Sequence, residues 1–488
     1  MNRRRIAYAL SFIGFASLFV ATLGSAAEPL RPTQQTAVAD VEARRTELNE
    51  VNKAIWEFAE VGLEERRSSA LLVDKLKTAG FKVRAGVADM PTAFVAEFGS
   101  GRPIIGILAE YDALPGLSQK VSHERDPVAA DAPGHGCGHC GLGTGALGAA
   151  LAVKAAIEKH SLNGTVRLYG TPAEETLIGK VYMSLAGEFN ELDACLHWHP
   201  GSRNDVWNGE SKAAVSAKFT FSGVTAHASG SPDKGRSALD AVELMNVGAN
   251  FMREHIKEDA RVHYVITNGG GAPNVVPAKA TVWYYVRANQ HTDVERNFAW
   301  LKDIADGAAK MTRTTVSVQI DTDCHEIIPN DPLAALMLNN LQRIGPPKFT
   351  LEEHTFARRI QESVTREFGT TFKLGLDEEV HRTPKVGAGS GSTDVGDISW
   401  HVPTVGLRTT CFAFDAPGHS WQNVAAIGST IGEKGVAYAA KVLACTTLDL
   451  LENPETLAAA KLDFAKKMEN RKYITLIPAG QKAPKSIR

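Results

Sequence analysis

The segment Gly134-His135-Gly136-Cys137-Gly138-His139-Cys140 holds a thiol and an imidazole two residues apart in a glycine-rich turn. Glycines let the backbone turn so that both side chains can face one ion. Zinc and similar metals accept sulfur and nitrogen ligands readily. Two other readings of these residues stay open: a Cys-x-x-Cys redox pair and a structural zinc knuckle. The knuckle would want a second close Cys pair, and the remaining cysteines (Cys195, Cys324, Cys411 and Cys445) are scattered. Thr171-Pro172-Ala173-Glu174-Glu175 adds two adjacent acids after a strand-like run. Adjacent acids cannot both point the same way, so one can bind a metal while the other reaches a nearby water. That division suits hydrolysis, in which a metal acidifies water and a carboxylate takes the proton. Alone, the pair reads better as two solvated glutamates. Leu196-His197-Trp198-His199-Pro200 contributes His197 after a buried strand, and Ala416-Pro417-Gly418-His419-Ser420-Trp421 contributes His419 in a loop. A packed histidine is the plain reading of His197. Together, Cys137, His139, Glu175, His197 and His419 make a five-ligand set of suitable types.

The elements around these residues alternate between strand and helix. Val38 to Ala70 reads as helical, Phe81 to Phe98 as a strand pair, and Pro103 to Ala109 as a short buried strand. Residues 117–134 carry no periodicity and predict a surface loop. A helix is expected from about Thr144 to Lys159, a strand over Thr165 to Tyr169 and another over Ala194 to His197. This order predicts an α/β catalytic domain with a central, mostly parallel sheet flanked by helices. Sites in such sheets lie at the carboxyl ends of the strands, which is where the candidate ligands fall.

The character changes near 213. Ala214 to Phe221 alternates as a half-exposed strand, Gly235 onward starts an amphipathic helix to about His255, and Tyr264 to Thr267 and Ala280 to Arg287 read as strands. An inserted α+β lid over 213–325 is expected, splitting the catalytic domain into 38–212 and 326–451. Gly387 to Thr393 reads as a Gly/Ser loop, Ile431 to about Leu451 as a long helix, and 452–488 as a C-terminal extension. There are no internal repeats.

The 488 residues are 44% hydrophobic and 22% charged, ordinary for a globular protein, and a formal charge of −2 offers no electrostatic case for nucleic acid. At the N-terminus, Arg3-Arg4-Arg5, an apolar run from Ile6 to Leu23 and the small residues Gly24-Ser25-Ala26-Ala27 form the layout of a secretory signal. Residues 1–27 are therefore expected to be a signal peptide and the protein exported, periplasmic or secreted. An uncleaved run would be a membrane anchor. Cleavage would move the formal charge from −2 to −5. No other stretch reads as apolar enough to span a membrane.

Six ordered motifs give the chain a family resemblance: Glu110-Tyr111-Asp112-Ala113-Leu114-Pro115, Gly134 to His139, Pro172-Ala173-Glu174-Glu175, Phe221 to Ala228, Gly391-Ser392-Thr393-Asp394-Val395-Gly396-Asp397 and Pro417-Gly418-His419-Ser420. Over about residues 40–450 the chain resembles the M20 metallopeptidases and amidohydrolases. Within them it looks most like the B-type chain of aminobenzoyl-glutamate hydrolase, near the auxin-conjugate hydrolases. The resemblance implies a lid that also dimerises and a site for two divalent ions, zinc or manganese. It implies that Cys137 bridges or caps the site and that His139, Glu175, His197 and His419 complete it. Glu174 would be the general base, Asp112 would hold a ligand in place, and His227 from the lid would stabilise the oxyanion across a dimer interface. Asn274 and Arg287 would grip a substrate carboxylate. From composition alone, His227 reads as a loop residue, Asn274 as a turn former and Arg287 as a strand-face charge.

The implied reaction is hydrolysis of the amide in an N-acyl amino acid, aminobenzoyl-glutamate among the candidates. A homodimer, or a hetero-oligomer with a homologous subunit, is the implied assembly. Rival readings are a partner-dependent or non-catalytic subunit, a dipeptide or indole-acyl amino acid hydrolase, and a thiol redox protein. One departure stands out. Relatives carry Asp or Asn after the Cys-Gly-His triplet, whereas this chain has Cys140. A Cys137–Cys140 disulfide would remove a metal ligand.

Overall fold

A computed structural model describes residues 29–369, 375–382 and 391–486. The expected signal, residues 1–27, and residues 387–390 of the Gly/Ser loop lie outside the described residues. Twelve strands form two sheets among the described residues. The strands are β1 (Lys82–Ala85), β2 (Phe94–Ser100), β3 (Ile104–Ala109), β4 (Gly164–Gly170), β5 (Ala194–Gly201), β6 (Asn204–Trp207), β7 (Ala213–Ser222), β8 (Arg261–Asn268), β9 (Lys279–Ala288), β10 (Thr315–Cys324), β11 (Val380–His381) and β12 (Thr404–Thr410).

The larger sheet runs β1-β2-β4-β3-β5-β12-β6-β11. Its central block β4-β3-β5-β12 is parallel throughout. All four of those strands therefore end on one edge, where loops can converge. Their residues are largely buried on both faces, as a place between helix layers requires. The helix His139–His160 lies against this block, and Thr430–Glu452 packs beside it. The first of these helices is long and apolar enough to cross a membrane, contrary to the expectation, yet 89% of its apolar window is enclosed by the fold. It is a core helix, starting five residues earlier than expected, so His139 and Cys140 sit in its first turn. Gly145 lets it approach the sheet, since a Cβ there would lie 2.8 Å from the Trp198 ring.

The smaller sheet, β10-β7-β9-β8, is antiparallel. Two helices, Ala238–Met252 and His291–Thr312, cover one face around Phe219, Phe221, Tyr284 and Phe298. The opposite face of β9 carries Trp283, Tyr285 and Arg287, because alternate residues share a face.

Both ends of the described chain pack more closely than the sequence suggests. The first helix begins at Pro32, not Val38, tied by Arg31 to Asp449 at 2.5 Å. The stretch beyond 451 forms the helix Pro454–Met468, whose Ala460 carbonyl accepts from Asn330 at 2.9 Å. From there the tail crosses to the lid, where Leu476 joins the lid core.

Candidate metal centre

The first pair of metal-capable side chains comes from the turn into the helix His139–His160. Gly138 adopts a left-handed φ of 84°, and a Cβ there would sit 3.0 Å from Phe412 and Pro200. Glycine meets both demands. The turn leaves Cys137 half-buried and His139 fully buried. Cys140, one residue on, points into the hydrophobic core, and both thiols are free. Asp112, after β3, accepts from His139 Nδ1 at 2.8 Å and from the Glu175 amide at 2.9 Å. One carboxylate thereby orients a histidine and the loop of an acid, as the partners of metal ligands do.

Glu174 and Glu175 sit on a short turn after β4, bracketed by Ala173 (φ 56°) and Leu177 (φ 60°). Left-handed alanine and leucine cost energy. The turn is held by the buried Glu65, which accepts from the Ala173 amide at 2.8 Å. The two glutamates diverge: Glu174 Oε2 lies 3.8 Å from His139 Nε2, while Glu175 Oε2 lies 3.3 Å from His419 Nε2. His419, itself left-handed at φ 54°, is the most exposed member of the set.

Three groups of side chains bring ligand atoms within 4.8 Å of one another: Cys137–His139–His199, Cys137–Glu175–His419 and Glu110–His139–Glu174. Shared membership of Cys137 and His139 makes them one continuous centre. His199, not His197, supplies the histidine of β5, with Nε2 3.3 Å from Cys137 Sγ. The two histidines lie on the same face of the strand, two residues apart. His199 is nearer the carboxyl end, where the site is. His197 is set deeper, 5.2 Å from the Trp207 ring and against Gly406. The expected ligand position of His197 is thus corrected to its neighbour.

Beneath the centre lies a cation that the sequence did not reveal. Lys180 is fully buried and pairs with Glu110 at 2.8 Å and Asp394 at 2.5 Å. Its only sequence signal is a lone lysine within Leu177-Ile178-Gly179-Lys180-Val181-Tyr182-Met183. Glu110 and Asp394 stand inside two of the six motifs, where neither has an expected part.

The electrostatics describe a crowded, dry cluster. Burial, then Glu110, pushes Glu174 well above the usual carboxylate range. Burial raises Glu175 to about 8, and Asp394 to about 7 against the pull of Lys180. Burial, then Glu175, lifts the Cys137 thiol to about 12. Burial works against a charged His139, but Asp112 and Cys137 hold it protonated well above its ordinary value. His199 is lowered to about 4 by burial and by His139. A divalent cation among these donors would invert the pattern, favouring thiolate, carboxylate and neutral imidazole. The residues fit such an ion: His139 Nε2 and Glu175 Oε1 are buried without a hydrogen-bond partner, inside a mixed sulfur, nitrogen and oxygen set.

The lid residues divide. Arg287 reaches the catalytic domain, donating to Ser392 Oγ at 3.0 Å, and its Nε is buried without a partner. His227 stays exposed in a lid loop, where Nδ1 accepts from the Ser229 and Gly230 amides at 3.2 and 3.0 Å. Asn274, also exposed, accepts the Ala228 amide through its carbonyl at 3.0 Å. His227 and Asn274 are therefore neighbours of each other and are not gathered with the metal-capable groups among the described residues of this chain.

Residues 106–447 match the model of peptidase family M20/M25/M40. The B-type chain of the p-aminobenzoyl-glutamate hydrolase of Escherichia coli (strain K12) is 41% identical over 463 residues, covering 90% of this chain and 96% of that protein. The Xaa-Arg dipeptidase of Mus musculus is 28% identical, covering 92% of this chain and 96% of that protein. In fold, the chain is similar to a dinuclear metal-binding M20 peptidase from Bacillus subtilis, with a TM-score of 0.53 at 17% identity over 84% of this chain and 99% of that one.

Proposed function

The chain belongs to peptidase family M20/M25/M40, and from that premise we propose that it hydrolyses the amide bond of N-acyl amino acids at the centre built on Cys137 and His139. The observation that carries this reading is the pair of partnerless buried atoms, His139 Nε2 and Glu175 Oε1, within overlapping ligand groups that share Cys137. Cys137, His139, Glu175, His199 and His419 would hold two divalent ions, zinc or manganese. Such ions supply Lewis acidity and make water acidic enough to serve as a nucleophile near neutral pH.

The chain's own groups then have distinct tasks. Glu174 is buried beside the ligands but diverges from Glu175, so it is placed to accept the proton of the attacking water and pass it to the leaving amine. Asp112 fixes His139 and the Glu175 loop. The Lys180 cation holds Glu110 and Asp394 beneath the site. Arg287, whose guanidinium donates to Ser392 Oγ and keeps a buried Nε without a partner, takes the substrate carboxylate. His227 would act on the oxyanion of a partner copy, which agrees with its position away from this chain's own centre.

That assembly has a surface to match. Leu244, Val247 and Phe251 are exposed on one lid helix, and Val265 and Ile266 on the edge strand β8. Apolar side chains beside an unpaired strand edge suit contact between chains. A homodimer uses this surface twice. The likeness to a protein named as one chain of a hydrolase supports a second reading, a hetero-oligomer with a homologous chain. We further propose that residues 1–27 direct export.

The test is a hydrolysis screen of the purified single chain on N-acyl amino acids and dipeptides, with zinc or manganese restored to metal-free protein. Turnover is expected with metal alone. Turnover only after a homologous chain is added would select the second reading. Glu174→Gln should retain metal and lose at least about a hundredfold in kcat; full activity there would reject the proton role.

A further inference from the structure

Two stretches of chain join the lid to the catalytic domain: residues 208–212 lead into β7, and residues 325–330 lead out of β10. Two crossings define an axis about which a lid can turn, since a hinge is a few residues between rigid bodies. A third attachment away from that axis stops the turn. Residues 469–486 supply one.

The tail first grips the second crossing. Tyr473 stacks on His325 and donates to Asp397 at 2.8 Å, and Asp323, next to the end of β10, accepts from the Leu476 amide at 2.6 Å. Adjacent side chains then enter different cores. Leu476 packs in the lid core, and Ile477 in the cluster that holds Leu177, Val181 and Val395. Gln481 binds both domains with one amide group. Its Nε2 donates to the hydroxyl of Tyr182, in the catalytic helix Gly179–Leu185, at 2.9 Å, and to the Ile320 carbonyl of β10 at 2.7 Å. The same hydroxyl donates to the Asp321 carbonyl at 3.1 Å. Ile320 lies four residues along β10 from Cys324, about 13 Å from the crossing at about 3.3 Å per residue. Gln481 therefore holds the lid on a long lever. Beyond it, Pro484 and Ser486 lie beside Trp283 and Tyr285 of the lid and beside Thr176 and Ile178, which follow Glu174 and Glu175. The gap left there is about 10 Å³, room for one water at most.

Trp283 also lines a cavity of about 470 Å³ with Leu114 of the catalytic domain, so the angle of the lid sets the width of that cavity. We propose that residues 469–486 are a strap and spacer that hold the lid at one angle to the catalytic domain and keep this cavity preformed. Leu476 and Gln481 resist opening, and Pro484 to Ser486 resist further closing.

Hydrogen exchange of the full chain tests the strap without an activity assay. The amides of Lys212, His291 and His325 bond across the junction, to the Gly391 carbonyl at 2.9 Å, Glu326 Oε2 at 3.0 Å and Asp397 Oδ2 at 3.2 Å. Leu476→Ala combined with Gln481→Ala should raise their exchange about tenfold or more, because opening the junction then breaks fewer bonds. Exchange within the β3–β4 and β8–β9 pairs should stay within about twofold. A chain lacking residues 469–488 should show a larger radius of gyration by small-angle scattering, and the same segment added as a peptide should reverse the change. Unchanged exchange in the double variant would overturn the strap. So would an equal rise inside both domains, which marks a tail that only stabilises the fold. A wild-type radius of gyration in the shortened chain also overturns it. If the shortened chain does not fold, the full-length double variant decides.

Discussion

Two buried clusters of histidine and carboxylate occupy this chain, and only one has the geometry of a metal centre among the described residues. At the carboxyl edge of the large sheet, His139, Glu174 and Glu175 share a small volume with Cys137, and ligand atoms converge within 4.8 Å. The second cluster sits where lid, catalytic domain and C-terminal tail meet. There His291 Nε2 pairs with Asp323 at 2.8 Å and His325 Nδ1 with Asp397 at 3.1 Å. The two imidazoles stack face to face with centroids 3.8 Å apart, and the Tyr473 ring lies 4.4 Å from His325. Tyr473 donates to Asp397 at 2.8 Å, and the Leu476 amide donates to Asp323 at 2.6 Å. The carboxylates of the second cluster already have donors, and its rings face each other rather than a common point. Residue type is therefore a poor guide to a metal centre, and so is a single partnerless atom, since His325 Nε2 of the second cluster is also buried without a partner; convergence of ligand atoms separates the two among the described residues. The second cluster fastens the tail across the junction of the domains.

The largest expected difference concerns charge. Lys180→Met would leave Glu110 and Asp394 buried without their cation, at a cost of about 3–5 kcal/mol. At the junction, Tyr473→Phe removes one hydrogen bond to a carboxylate and should cost about 1–3 kcal/mol. Urea unfolding of metal-loaded protein measures both, and equal losses would erase the contrast. Next comes the histidine of β5. His199→Ala should weaken metal binding by at least about tenfold, while His197→Ala should change it by less than about threefold and act on stability. Metal titration followed by elemental analysis tells them apart, and the reverse order would restore His197 as the ligand.

The smallest effect is a pH dependence at the junction. Burial opposes the charged form of His291, yet the bond to Asp323 raises its pKa above the ordinary 6.5. A histidine raised on folding stabilises the fold fully below its unfolded value and loses that contribution as pH rises through the folded one. Asp323→Asn should therefore lower Tm more at pH 5.5 than at pH 9. A pH-independent difference in Tm would show that the pair is not ionic.

The tail and lid show where the sequence stops being legible. Tyr473 and Thr475 carry no periodic or motif signal, and their partners Asp397 and Asp323 lie about 75 and 150 residues earlier in the chain. Lys180 is similar: its sequence neighbours are apolar, but its two counter-ions come from β3's loop and from the segment after 391. The start of the helix at His139 escapes a sequence reading because four glycines in its first half weaken helix propensity. Close packing on Trp198 and on the helix Thr430–Glu452 overrides that penalty.

By itself, the sequence determined the α/β order of elements, the break in character near 213, and the motifs holding Cys137, His139, Glu174, Glu175 and His419. These are local properties, since strand ends, glycine turns and adjacent acids are set by residues next to each other in the chain. Only tertiary structure decided that His199 rather than His197 faces Cys137, that Lys180 lies beneath the centre, and that Trp283 closes a pocket against Leu114. Each of those depends on how far along a strand the edge of the sheet falls and on which side chains distant segments bring to meet it.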